Sequence, residues 1–192
     1  MILYVTKETF ERFKLKMPED MQSKPVALLA QSVIDREAGD RFLEWGGKLF
    51  YFDRRKCLQV SHFSSKLTFF LVDIKLADLE NVGQLIAAYL FDLYEGDREM
   101  KQLLERYFED HPAMAFSRLK DKSMIATLNR TQSVFLCDGY RLYDYISDGI
   151  LHTRKINRDV NRDIFTRKLN GKTDYFMPVE LFAQQLKERY QE

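Results

Sequence analysis

Between Arg154 and Lys172 the chain carries seven cations and two acids, a local excess of five in a protein whose net charge is only +1. The remaining residues are therefore net −4, so basic charge is concentrated in this one stretch. It also holds the one short repetition in the sequence, Asn157-Arg158-Asp159-Val160 followed by Asn161-Arg162-Asp163-Ile164. On a helix, a step of four residues turns the side chain by only about 40° past a full revolution. Like then stacks over like: Ile156, Val160 and Ile164 form a buried stripe, with Arg158 and Arg162 on the far side. Guanidinium groups match the oxygens of phosphate and carboxylate. Arg158, Arg162, Arg167 and Lys168 are accordingly read as an anion-contacting helix face. A plainer reading makes them a solvated face laced by ion pairs, Lys155 with Asp159, Asp159 with Arg162 and Asp163 with Arg167.

A second cationic group, Arg54, Arg55 and Lys56, follows Asp53 at the tip of an expected hairpin. It could grip a phosphate or carboxylate, although a hairpin tip is charged for solvation alone. Asn129 and Arg130 open a polar run, Asn129-Arg130-Thr131-Gln132-Ser133, and with Trp45 they are the candidates for lining a cleft. The wet side of an amphipathic helix explains the same run. Asn170-Gly171-Lys172-Thr173 is no phosphate loop, because Thr166 stands where the first glycine is required. It reads as a helix stop and turn. His62, His111 and His152 lie on different elements without local acidic or cysteine partners. His62 shares a strand face with Leu58 and Val60, which suits a hydrogen-bonded core or rim imidazole. No metal and no cofactor is expected.

Composition narrows the classes. Hydrophobic residues make up 45% and charged residues 31% of 192 positions, the balance of an ordinary globular domain. A net charge of +1 argues against a general polyanion binder. Cys57 and Cys137 show neither metal-ligand spacing nor disulfide density and read as buried, reduced thiols. Met1-Ile2-Leu3-Tyr4-Val5-Thr6 reads as a strand and not a signal peptide, and the longest apolar run, Leu85 to Phe91, is far too short to cross a membrane. A cytoplasmic location without membrane association follows.

The elements that must position these groups begin with three strands, 48–52, 57–63 and 67–72, joined by tight polar turns. The expected class is α+β: an antiparallel β-meander over residues 48–74, with the N-terminal strand beside it and several α-helices packed on it. Both faces of the first and third strands carry apolar side chains, so the sheet is covered on both sides or on one side plus an oligomer contact. Trp45-Gly46-Gly47 reads as a flexible entry. Pro25 could start a helix carrying Val26, Leu29 and Val33, with Ala30 a further candidate. Asp78 caps a helix through Leu93, Asp97 a second that His111-Pro112 stops, and Ser117 a third that runs to Asp138-Gly139. Residues 140–151 fit a hairpin at Asp148-Gly149 or a helix. Thr153 opens a helix to about Leu169, and Pro178 opens the last one. Residues 1–138 form the α+β core and 139–192 a mostly helical extension packed on the same domain.

Trp45 with its strand, Asp53-Arg54-Arg55-Lys56-Cys57, the strand through Leu71 and the segment Leu128 to Val134 together resemble a family of small bacterial proteins known only as a domain of unknown function. The resemblance covers roughly residues 1–137, with a weaker echo near Pro178. It carries no activity or catalytic residue. In that family Trp is followed by His, a small residue and Asn, whereas Gly46-Gly47-Lys48 stands here, which weakens an enzymatic reading. Three functions are therefore carried forward. The first is a non-enzymatic protein binding an anionic partner, nucleic acid among them. The second is an enzyme on a phosphate- or carboxylate-bearing metabolite. The third is an interaction subunit that meets a protein partner or its own copy through Tyr140, Tyr143 and Tyr145.

Overall fold

The computed structural model describes residues 1–169 and 171–191, with the backbone alone at Lys168 and Leu169. A five-stranded sheet forms its centre: β1 (Ile2–Val5), β2 (Glu44–Phe52), β3 (Arg55–His62), β4 (Thr68–Leu71) and β5 (Ala115–Arg118), in the order β4-β3-β2-β1-β5. The meander of β2, β3 and β4 is antiparallel as expected. The whole sheet is not, because β1 runs parallel to both β2 and β5. The cause lies in the connection. The chain leaves β1 through α1 (Lys7–Arg12) and α2 (Lys24–Glu37), and a helical crossover returns a strand parallel to its predecessor.

Strand β2 starts at Glu44, so Trp45-Gly46-Gly47 lies inside the sheet and is not a flexible entry. The glycines are there for room. A Cβ on Gly46 would collide with the Met124 side chain, and one on Gly47 would stand 2.9 Å from Val5 Cγ1.

Alternation along the strands makes two buried faces. Leu3, Val5, Trp45, Leu49, Leu58, Val60, Phe69 and Leu71 share one core with α1, α4 (Val82–Leu93), α5 (Arg98–Asp110) and α8 (Pro178–Tyr190). On the other face Ile2 packs with Val33 of α2. Phe63 packs there with Met124 and Leu128 of α6 (Lys122–Arg130). Cys57 and Phe70 pack with Phe135, Leu142, Ile156 and Val160. The sheet is thus covered on both sides.

Several boundaries depart from expectation. Val26 and Leu29 are exposed, because only the C-terminal half of α2, from Ala30 onward, reaches the sheet. The helix expected from Asp78 is two: α3 (Leu76–Glu80) and α4, with Asp78 in the first turn of α3 accepting from the Lys75 amide at 2.8 Å. Ser117 belongs to β5, and Asp121 caps α6 through the Met124 amide at 2.8 Å. A π-helical turn (131–135) and a 3-10 segment (137–145) continue that helix, and Cys137 is exposed. Residues 146–151 form a hairpin, β6 (Ile146–Ser147) and β7 (Ile150–Leu151), around Asp148-Gly149, both with positive φ as a two-residue turn requires.

The largest departure is at α7 (Thr153–Arg162), which ends well short of Leu169. Asp163 turns extended and its carboxylate accepts from the Ile164 amide. The chain then forms a hairpin, β8 (Phe165–Leu169) and β9 (Lys172–Phe176). Cross-strand pairing of Phe165 with Phe176 and of Arg167 with Asp174 favours this over a helix. Gly171 is therefore in a hairpin turn, and Asn170 lies outside the described residues. Ile164, expected in the buried stripe with Ile156 and Val160, is exposed.

The tandem repeat has its explanation at the sheet edge. Asn161 Oδ1 accepts from the Thr68 amide at 2.7 Å, and its Nδ2 donates to Thr68 O at 2.7 Å and to Asn157 O at 2.7 Å. Asn157 Oδ1 accepts from the Phe70 amide at 2.8 Å, and its Nδ2 donates to Phe70 O at 3.2 Å. Two helical residues four apart rise about 6 Å. Two outward-facing residues of a strand repeat every ~7 Å. The near match lets two carboxamides stand in for the peptide groups of a missing strand. Both asparagines and both strand residues they reach are buried.

Replacing Asn161 by Ala leaves the Thr68 N–H and C=O without partners in a dry site. Unfolding in urea should show a loss of about 2 kcal/mol; a loss inside the error of the measurement would mean that water replaces the carboxamide.

Of the two positions expected for it, His62 takes the core. Its Nε2 donates to Phe42 O at 2.8 Å and its Nδ1 accepts from Ser65 Oγ at 2.8 Å, which selects the neutral ring. Burial pushes its pKa down to about 4. The unfolded ring, near 6.5, takes up a proton first, so His62 contributes its full stability above about pH 6.5 and loses it as pH falls toward 4. The whole effect is about 3 kcal/mol. Urea midpoints measured across this window should fall with acid, and His62→Gln should flatten the slope; an unchanged slope in the variant would assign the effect elsewhere.

Candidate functional site

Outside the core, α7 and the hairpin before it enclose an open groove of about 740 Å³, lined by Ser147, His152, Arg154, Lys155, Arg158 and Arg162 among others. Local sequence sets the geometry. Ile156 and Val160 are fully buried, and with the asparagines they hold one side of α7 against β4. Arg154, Arg158 and Arg162, each four residues apart, follow one another along the other side, rising about 6 Å per step.

The cations are not equivalent. Arg158 is clasped by the end of α4: Nε to Asp92 Oδ2 at 3.0 Å, Nη2 to Asp92 Oδ1 at 3.1 Å and to Glu95 Oε2 at 2.6 Å. It fastens two helices. Arg154 stands 3.6 Å from Asp92 but is largely in solvent. Lys155 lies 5.9 Å over the Tyr145 ring. Arg162 is exposed and has no ion-pair partner among the described residues. Asp159, the one carboxylate among the described residues that line the groove, accepts from Tyr145 OH at 2.8 Å. Burial, then that bond, raises the Tyr145 phenol to about 12, so it stays a neutral donor. None of the three intrahelical ion pairs expected in this stretch forms among the described residues; the carboxylates are engaged elsewhere.

Ser147 Oγ and His152 Nε2 lie 2.6 Å apart at the groove's edge, a nucleophile–base distance. Among the described residues no carboxylate orients the other ring nitrogen, so the contact reads as one that ties the hairpin to α7.

The remaining candidates do not join this groove. Arg55 pairs with Asp73 at 3.2 Å, and Lys56 donates to Arg12 O at 3.1 Å while lying over the Phe13 ring. Arg54, at the tip with φ of 63°, is exposed. Arg167 pairs across its hairpin with Asp174 at 2.7 Å and packs on Phe176. The Lys168 side chain lies outside the described residues. Trp45, expected to line a cleft, is fully buried beside His62 and Phe69. Asn129 accepts from Lys48 Nζ at 2.7 Å on the surface. Arg130 lines a different cavity, with Lys66 and Asp163. Trp45, Asn129 and Arg130 therefore do not converge.

His152, Arg154 and Lys155 are the lining residues missed in the sequence. Arg154 was accessible, since the four-residue step that stacks Arg158 on Arg162 also includes it. A further cavity of about 670 Å³ contains Tyr4, Arg41, Glu44 and Asp121. Its polar groups satisfy one another: buried Glu44 accepts from Tyr4 OH at 3.2 Å, Gly39 N at 2.8 Å and Arg41 at 3.2 Å, and Arg41 reaches Asp121 at 3.0 Å. Among the described residues no cluster of His, Cys, Asp or Glu could hold a metal ion, and no helix is long and apolar enough to cross a membrane.

No curated protein and no solved structure matches this chain. A family model described as a domain of unknown function, DUF6933, matches residues 2–181, which takes in the sheet and all of α7, and the chain belongs to that family.

Proposed function

We propose that this protein binds an anionic partner, without catalysing a reaction, through the groove along α7. The observation that carries this reading is the gathering of Arg154, Lys155, Arg158 and Arg162 around one open depression in a chain otherwise net negative. Arg158 sets the helix in place, while Arg154, Lys155 and Arg162 are available to a ligand. The partner class that suits the groove is single-stranded nucleic acid. A row of cations about 6 Å apart suits an extended phosphate backbone. Tyr140 and Tyr143, exposed on the neighbouring 3-10 segment, offer ring faces on which bases stack. Tyr145, grouped with them in the sequence, is buried and serves α7 instead. A cytoplasmic location accords with the two unpaired thiols, Cys57 and Cys137.

The enzymatic reading required Trp45, Asn129 and Arg130 in one cleft beside an acid or base, and that arrangement is missing. Binding is tested by fluorescence anisotropy with a short labelled single-stranded RNA over a salt series. Phosphate contacts from Arg154, Lys155 and Arg162 predict a log–log slope of about −2, hence a loss of roughly tenfold or more between about 50 and 200 mM salt. Arg162→Glu should weaken binding by about tenfold without altering thermal stability. No anisotropy change at about 50 mM salt ends the nucleic-acid reading.

A further inference from the structure

A smaller cavity, of about 320 Å³, opens between the π-helical turn and the corner joining α7 to β8. It is separate from the groove and differs from it in chemistry. Val134, Phe135, Ile164 and Phe165 supply apolar walls, while Lys66 and Arg130 bring positive charge. Asp163 is the one carboxylate in the lining among the described residues.

Several features mark it as more than a packing gap. Val134 and Ile164 are 66% and 65% exposed, and these large apolar side chains line the same opening instead of being scattered. Arg130 has no hydrogen-bond or ion-pair partner among the described residues. Lys66, held at a left-handed φ of 62°, donates to Phe63 O at 2.8 Å, and burial lowers its pKa. The π-helical turn is a wide, uncommon geometry that recurs at functional sites. Gln59, fully buried, has neither carboxamide atom hydrogen-bonded among the described residues. It sits opposite Phe70, whose ring stacks on Phe135 at 6.1 Å. A buried polar group of this kind calls for an explanation.

We infer that this cavity binds a small monocarboxylate with an aromatic or branched apolar body. The carboxylate meets Arg130 and Lys66, two cations against one acid, and the body lies against Val134, Phe135 and Ile164. The volume is at the small end of ligand pockets, which limits the occupant to a compact metabolite. Ser123 and Thr166 also line the cavity and can donate hydroxyl protons to a carboxylate, whereas the Thr127 and Thr131 hydroxyls already donate to Ser123 O at 3.0 Å and Thr127 O at 2.9 Å.

The probe is 3-phenylpropanoate, titrated into the isotope-labelled full chain and followed by backbone NMR shifts. Saturable shifts are expected at residues 126–135 and 163–166. Arg130→Ala should weaken binding by about tenfold, as loss of a charged hydrogen bond does. Val134→Glu should abolish it by filling the mouth with like charge. Both positions are exposed, so the variants should keep the parent thermal stability. Arg162→Glu belongs to the groove along α7 and should leave this binding unchanged, which separates the two proposals. Equal affinity for 3-phenylpropanamide, equal affinity for inorganic phosphate, or no saturable shift at about 10 mM probe would each overturn the assignment.

Discussion

Two carboxamides seated on the edge of a sheet are the contact on which the rest of this structure depends. The N–H and C=O groups of Thr68 and Phe70 face away from β3, and an open edge of this kind invites another chain to pair with it. Asn157 and Asn161 close it from a helix, each supplying an acceptor and a donor as a strand would. The contact also fixes the rotation of α7 about its axis. Once the asparagines face β4, Ile156 and Val160 are directed into the second core, and Arg154, Arg158 and Arg162 must look outward.

The two copies of the repeat then diverge in role. In the first, every polar group is tied to the fold: Arg158 to Asp92 and Glu95, Asp159 to Tyr145, with Val160 in the core. In the second, Asn161 repeats the structural contact, but the other three positions have left it. Arg162 is exposed with no ion-pair partner among the described residues, Asp163 ends the helix, and Ile164 is exposed at the rim of the smaller cavity. One helix thereby holds an edge strand and contributes to a groove, and the corner after it borders a pocket. The charge excess in this stretch is only partly available for ligands, because Arg158 and Arg167 answer to carboxylates of the same molecule.

Much of the frame was legible in the sequence because alternation and turn chemistry are local signals. The meander and the Asp97 cap follow from neighbours in the chain, while residues 140–151 fitted a hairpin or a helix alike and His62 a core or a rim position. The parallel placement of β1 and β5 was not, since pairing direction depends on how a crossover passes the sheet. The end of α7 was misjudged because the helical period continues in the residues, while β8 and β9 gain more by pairing with each other. Trp45 illustrates a different limit: a lone aromatic beside two glycines reads as a loop, yet the glycines are required by Met124 and Val5 packing across them. The cation cluster was visible; its engaged members were not, because Asp92 and Glu95 lie more than sixty residues away. The asparagines were seen as a repeat and misread, since their partners are backbone groups, which leave no mark in a sequence.

Amide hydrogen exchange at Thr68 and Phe70 tests the central contact most directly. If the carboxamides complete the sheet, both amides exchange as slowly as those of β3 in the sheet interior, and Asn157→Ala speeds Phe70 more than Thr68. Exchange at these two positions as fast as at a free strand edge, with the rest of the sheet protected, would contradict the account.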